Sequence, residues 1–181
     1  INEKFFILGV ANVWDERKGL KYFWELSNML EDDEVIVLVG LTVKQKRELP
    51  RGIVGITRTN NTKELAEIYT EADIFLNPTL EDNFPTTNLE ALACGTPVIT
   101  FDTGGSVECI DVNTGIIVEK ANVQKLHEEI SNIILNKTVF LEDNLIDKAN
   151  KLFNKNDRYN DYIALYTSFF KGRNKLMIYF K

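Results

Sequence analysis

Residues 72–101 read ADIFLNPTLEDNFPTTNLEALACGTPVITF. An apolar run at 72–78 gives way to a polar loop, a helical pattern at 86–94, and a β-branched run at 96–101. Strand, helix and strand in so short a span make a βαβ unit. Both strands are apolar almost throughout instead of alternating, so helices must cover both faces of their sheet. The rest of the chain repeats the pattern. Further strands are expected at 4–10, 34–40, 52–57 and 115–119, with amphipathic helices near 19–31, 42–49 and 62–71. Helical patterns near 121–136, 142–154 and 157–170 follow the last strand. The fold class is therefore α/β, a Rossmann-like doubly wound parallel sheet of about six strands. Thr62 is the expected N-cap of one helix, Pro85 suits the first turn of the next, and Gly95 ends it.

At 181 residues the chain is sized for one domain, taken as 1–170, followed by a tail at 171–181. A net charge of -6 argues against a nucleic-acid partner. Cys94, Cys109 and a single histidine, His127, give neither a zinc-ligand spacing nor a disulfide framework, which suits a reducing cytoplasm. His127 is expected at the surface and Cys94 in the core. No apolar run reaches the roughly 20 residues of a spanning helix. The opening INEKFF has no initiator Met and no signal-peptide pattern, as expected of a piece cut from something longer.

In open sheets of this kind ligands bind beyond the carboxyl ends of the strands, here the loops after Val10, Gly40, Thr57, Pro78 and Phe101. After Pro78 the loop opens a helix whose first N–H groups, at Thr86, Thr87 and Asn88, lack intrahelical partners and invite a phosphate. Glu90 stands among Leu89, Ala91, Leu92 and Ala93, one turn in, where its carboxylate can turn back toward a ligand at the helix mouth. TNLE at 87–90 is equally a capping-box pattern, in which Glu90 only closes its own helix. Asp82, with seven residues between it and Glu90, puts a second carboxylate at the same mouth and favours the ligand reading.

The segment 79–108, TLEDNFPTTNLEALACGTPVITFDTGGSVE, resembles the donor-binding motif of the retaining family 4 (group 1) glycosyltransferases, which are two-domain GT-B enzymes. Their pattern is an acid, seven residues, a glutamate, then EALACGTPV. The resemblance runs more loosely from about residue 4 to 170, the nucleotide-sugar-binding half. It implies a bacterial-type, cytoplasmic glycosyltransferase of the kind used in polysaccharide biosynthesis. A nucleotide-diphospho-sugar is the implied donor, and a glycan or lipid-linked acceptor would be held by an N-terminal domain outside this chain. It further implies that Glu90 binds ribose and that Asp82 or Glu81 binds the transferred sugar. Glu81, Asp82, Asn83, Phe84, Pro85, Thr86, Thr87, Asn88 and Glu90 are then substrate-binding candidates. No metal and no cofactor are expected.

GVANVWDERKGL follows the first strand, and there Arg17, Lys18 and Gly19 suit a departing diphosphate. The bland alternative is a solvated turn in which Arg17 and Lys18 pair with Asp15 and Glu16. The family pattern, Gly-Arg-Leu, three residues, Lys-Gly, is matched by Lys18 and Gly19. Asn12, Val13 and Trp14 stand where Gly-Arg-Leu would be. Lys18, Arg17 and Asp82 are the catalytic candidates. Gly104 and Gly105 offer close approach to a ligand after the fifth strand, and Arg58 lies near the expected base pocket. The tail carries Lys171, Arg173, Lys175 and Lys181 without an acid, so a peripheral contact with the inner face of a membrane is one expectation and docking on the absent domain another. Rival readings are a dinucleotide-dependent oxidoreductase, whose glycine fingerprint is missing after the first strand, and a noncatalytic interaction domain.

Overall fold

The computed structural model describes residues 4–177, with side chains to residue 170, so the tail contacts expected at 171–181 lie outside the described side chains. Six strands, β1 (Phe5–Val10), β2 (Glu34–Val39), β3 (Ile53–Ile56), β4 (Ile74–Asn77), β5 (Val98–Phe101) and β6 (Gly115–Val118), form one parallel sheet in the order β3-β2-β1-β4-β5-β6. Chain order reverses between β1 and β4. That reversal opens a crevice at their carboxyl ends, the place where such sheets take ligands.

The helices are α1 (Leu20–Ser27), α2 (Val43–Arg47), α3 (Thr62–Thr70), α4 (Thr86–Ala93), α5 (Val123–Ile134), α6 (Glu142–Phe153) and α7 (Lys155–Met177). Successive strand residues face opposite layers. Ile7, Ile74, Leu76, Ile99 and Phe101 face a layer holding α1 and α5, with Phe23, Leu26, Leu126 and Ile130 wholly buried. Leu8, Phe75 and Val98 face the other layer, where Tyr69, Leu92 and Leu145 bring α3, α4 and α6 onto the sheet. Both faces are covered, as continuous apolar strands require.

Local chemistry differs from expectation at two helix starts. Asn61, not Thr62, caps α3, its side chain accepting from the Glu64 N–H at 2.9 Å. Pro85 is itself the N-cap of α4, with extended backbone that places the helix start at Thr86. Gly95 ends that helix in the left-handed region, φ 81°, as expected. His127 is half-buried on α5 instead of solvated, and Cys94 is half-buried at the edge of the second layer. Both cysteines are free.

From 155 to 170 every side chain of α7 is exposed. Tyr159, Tyr162, Ile163, Tyr166, Phe169 and Phe170 recur at helical spacing and form an uncovered apolar stripe. No helix among the described residues is long and apolar enough to cross a membrane.

Candidate functional site at the β1–β4 crevice

Three loops converge where β1 and β4 part. The β1–α1 loop is fastened to the β4–α4 loop by the Leu80 N–H, which donates to the Arg17 carbonyl at 2.8 Å. The β5 loop joins through the Gly105 N–H, which donates to the Asp82 carbonyl at 2.9 Å, and through Thr103 Oγ1, which donates to the Thr79 carbonyl at 2.9 Å. A 3-10 turn over Gly104–Val107 completes this third loop.

Across the junction Lys18 Nζ meets Asp82 Oδ2 at 2.5 Å, both side chains largely covered. The other Asp82 oxygen accepts from the Phe84 N–H at 3.1 Å. The two strongest sequence candidates, 64 positions apart, are thus brought into contact. Only half of the bland turn reading is realised. Arg17 pairs loosely with Asp15 at 3.6 Å on the exposed side, whereas Lys18 gives Asp15 its backbone N–H and reserves its ammonium for Asp82. A cavity of about 350 Å³ is lined by Arg17, Lys18, Glu81, Asp82, Asn83 and Phe84. An adjacent hollow of about 440 Å³ shares Arg17 and Glu81 and adds Lys120, a cation the sequence reading did not single out. A larger cavity, about 900 Å³, lies at the amino ends of the strands among Phe5, Asp73 and Pro97, away from every candidate residue.

Three candidates make contacts beyond those expected, and a fourth, Arg58, stands apart from the Lys18–Asp82 cavity. The Asn88 side chain is fully buried: its Oδ1 accepts from Asn77 Nδ2 at 2.8 Å and its Nδ2 donates to the Ser106 carbonyl at 3.0 Å. Its backbone N–H donates to the Pro85 carbonyl, leaving Thr86 and Thr87 as the open amides of the helix mouth among the described residues. At Gly105 a Cβ would stand 1.5 Å from the Asn83 carbonyl oxygen, so the glycine lets two loops touch. Gly19, buried at φ 75°, does the same against the Pro78 carbonyl. Arg58 is exposed on the loop after β3, the outermost strand, and does not reach the Lys18–Asp82 cavity.

Glu90 does not close a capping box, for α4 has no side-chain cap. Its Oε2 accepts from the Tyr69 hydroxyl at 3.2 Å. The residue is exposed at the helix mouth, yet its carboxylate leans on the buried ring of α3. Partial burial raises its pKa, opposed by hydrogen bonds from Tyr69 and then Thr86. Tyr69, itself pushed upward by burial and by Glu90, escaped the sequence reading because its position fits an apolar stripe and nothing in the sequence announces its hydroxyl.

Comparison with known proteins bears on the family and the fold. The family profile described as "Glycosyl transferases group 1" matches residues 4–136. The N,N'-diacetylbacillosaminyl-diphospho-undecaprenol alpha-1,3-N-acetylgalactosaminyltransferase of Campylobacter jejuni is 31% identical over 141 residues, covering 74% of this chain and 36% of that protein. Among solved structures, sucrose-phosphate synthase from Thermosynechococcus elongatus superimposes with a TM-score of 0.80 at 22% identity, over 95% of this chain and 47% of that one. HepE from Anabaena, solved in complex with UDP-glucose, gives 0.76 at 19% identity, over 91% and 49%. The chain therefore spans between a third and a half of the length of these proteins.

Two outcomes follow. Asn88→Ala will lower stability in urea unfolding by about 1 to 3 kcal/mol for each buried polar group it leaves unpaired. Glu90→Gln will melt higher than the unmutated protein at pH 7. Because the folded pKa of Glu90 lies above its ordinary value, the contribution present below about 4.5 is lost as pH rises through the folded value. The advantage of the glutamine variant must therefore vanish in melts at pH 4 and below.

Proposed function

Since the chain belongs to the group 1 glycosyltransferases, we propose that it holds the nucleotide-diphospho-sugar donor for a retaining transfer to a glycan or lipid-linked acceptor. The observation that carries this reading is the Lys18–Asp82 contact at the β1–β4 crevice, with the Thr86 and Thr87 amides opening beside it. A cation and a helix mouth suit the diphosphate, and a carboxylate suits sugar hydroxyls. Asp82 is assigned to the sugar over Glu81, because its carboxylate is held by the Phe84 amide in the crevice beside Lys18 while Glu81 stands exposed.

In the transfer the bond from the anomeric carbon to the diphosphate breaks, with the electron pair leaving on the phosphate oxygen. Lys18 and the two amides stabilise that charge where it grows, so no divalent cation is assigned to the step. Arg17, more exposed, faces the same cavity and adds to its positive potential. The acceptor hydroxyl forms the new bond on the face the diphosphate leaves, and its proton passes to the departing group. Glu90 grips the ribose of the donor.

The acceptor is assigned to a further part of the protein, as the share of the relatives' length spanned by this chain suggests. The uncovered stripe of α7 is the surface offered to that part. The relative from Campylobacter jejuni is named for a diphospho-undecaprenol acceptor, which supports a lipid-linked class and a reaction beside a membrane.

Isothermal titration with UDP, GDP, ADP and CDP tests the donor site. Glu90→Ala is expected to weaken binding by about 1.5 to 3 kcal/mol, the worth of a hydrogen bond to a charged group. An unchanged affinity, or no binding by the unmutated protein, rejects the reading. Lys18→Ala is expected to weaken diphosphates far more than the matching nucleosides, and an equal loss on both contradicts its assignment.

A further inference from the structure

We propose that Tyr69 is the positioning residue for Glu90, fixing its carboxylate so that one oxygen faces two adjacent hydroxyls of a ribose. The inference rests on the reading of Glu90 given above and adds the part that makes that reading specific for ribose.

Tyr69 is immobilised from several directions. It is 1% exposed, and its ring meets Phe75 edge-on with centroids 5.4 Å apart. Its carbonyl accepts from Thr96 Oγ1 at 2.5 Å, which ties the end of α3 to the turn before β5. The neighbouring Thr70 hydroxyl reaches the Cys94 carbonyl at 3.4 Å, fastening α3 to the end of α4. A phenol buried this way needs a partner for its hydroxyl. That partner is not a carbonyl of its own helix but Glu90 Oε2, on the helix whose amino end forms the crevice wall.

The lone pairs show what this arrangement leaves over. An ionised carboxylate offers about four acceptor positions. Tyr69 takes one, and the nearby Thr86 hydroxyl can take another. About two remain, enough for a pair of vicinal hydroxyls. At 3.2 Å the Tyr69 bond orients the group without exhausting it. A glutamate free on a helix surface would lose rotamer freedom on gripping a ligand; one already held loses less. Tyr69 thus preorganises the contact while lying too deep to touch the ligand.

The test is Tyr69→Phe, which keeps the ring and removes the hydroxyl. Its affinity is measured by calorimetry for whichever of UDP, GDP, ADP and CDP binds the unmutated protein, and for the matching 2′,3′-dideoxy diphosphate. A loss of roughly tenfold is expected for the ribose form, with the dideoxy form unchanged and the melting temperature close to that of the unmutated protein. In a Glu90→Ala background the same substitution should have no further effect, since it acts only through that carboxylate. Equal weakening of both ligands, or an undiminished loss in the Glu90→Ala background, overturns the inference. If Glu90→Ala weakens binding but Tyr69→Phe does not, only this inference falls. If Glu90→Ala binds as tightly as the unmutated protein, or none of the four diphosphates binds at all, the ribose assignment fails and this inference with it.

Discussion

Everything at the crevice depends on two loops being allowed to touch. β1 and β4 are paired at Ile7 with Ile74 and Leu8 with Phe75 and part beyond, so the chains leaving their carboxyl ends must pass at backbone contact or splay apart. They pass. Gly19, in the left-handed region, brings its α-carbon against the Pro78 carbonyl, where a Cβ would stand 2.1 Å away. Once that approach is made, the Arg17 carbonyl receives the Leu80 amide, and Lys18 is carried over to Asp82. The third loop repeats the device: Gly105 lies against the Asn83 carbonyl and donates to that of Asp82. Both glycines serve the site from behind, by letting main chain meet main chain.

Beneath the loops lies a polar layer that is unusual for being so completely buried. Asn77 at the end of β4 donates to Asn88, Asn88 donates to the Ser106 carbonyl, and the hydroxyls of Ser106 and Thr100 share a hydrogen bond at 2.6 Å. Thr100 also reaches the Asn77 carbonyl. Each group is wholly or nearly wholly buried and each has a partner, which turns a costly set of side chains into one that fixes geometry. It joins β4, β5, α4 and the 3-10 turn in one cluster. The amino end of α4 is consequently aimed, and its first amides cannot wander from the crevice.

The sheet was legible because its signal is periodic and redundant: six apolar runs, each bounded by turn residues, admit few arrangements. Lys18, Asp82 and Glu90 stand out as candidates through their motif spacing and through the rule that ligands collect at carboxyl ends, and the fold brings the first two into contact. What was not legible depends on partners distant in sequence. Asn88 falls in the middle of the motif and reads as a ligand-binding amide, yet its partners at 77 and 106 can be known only once β4 and β5 lie side by side. Tyr69 reads as core, which its ring is, while its hydroxyl does something else. At the start of α3, two adjacent capping residues, Asn61 and Thr62, compete, and asparagine takes the position by bonding the Glu64 amide.

The pairing of Lys18 with Asp82 bears on how an acidic chain admits an anionic ligand. With a net charge of -6 the protein repels a diphosphate at long range, so attraction has to be local. Arg17, Lys18 and Lys120 border the two adjoining hollows, but Asp15, Glu16, Glu81 and Asp82 stand among them. A lysine this covered is costly to leave without an anion. Asp82 supplies one, and on the proposed reading a diphosphate takes its place. The exchange keeps the ammonium paired throughout and frees one Asp82 oxygen for a sugar hydroxyl, while the Phe84 amide keeps hold of the other. Diphosphate and sugar are then recognised side by side, since the lysine that meets the one and the carboxylate that meets the other are a contacting pair.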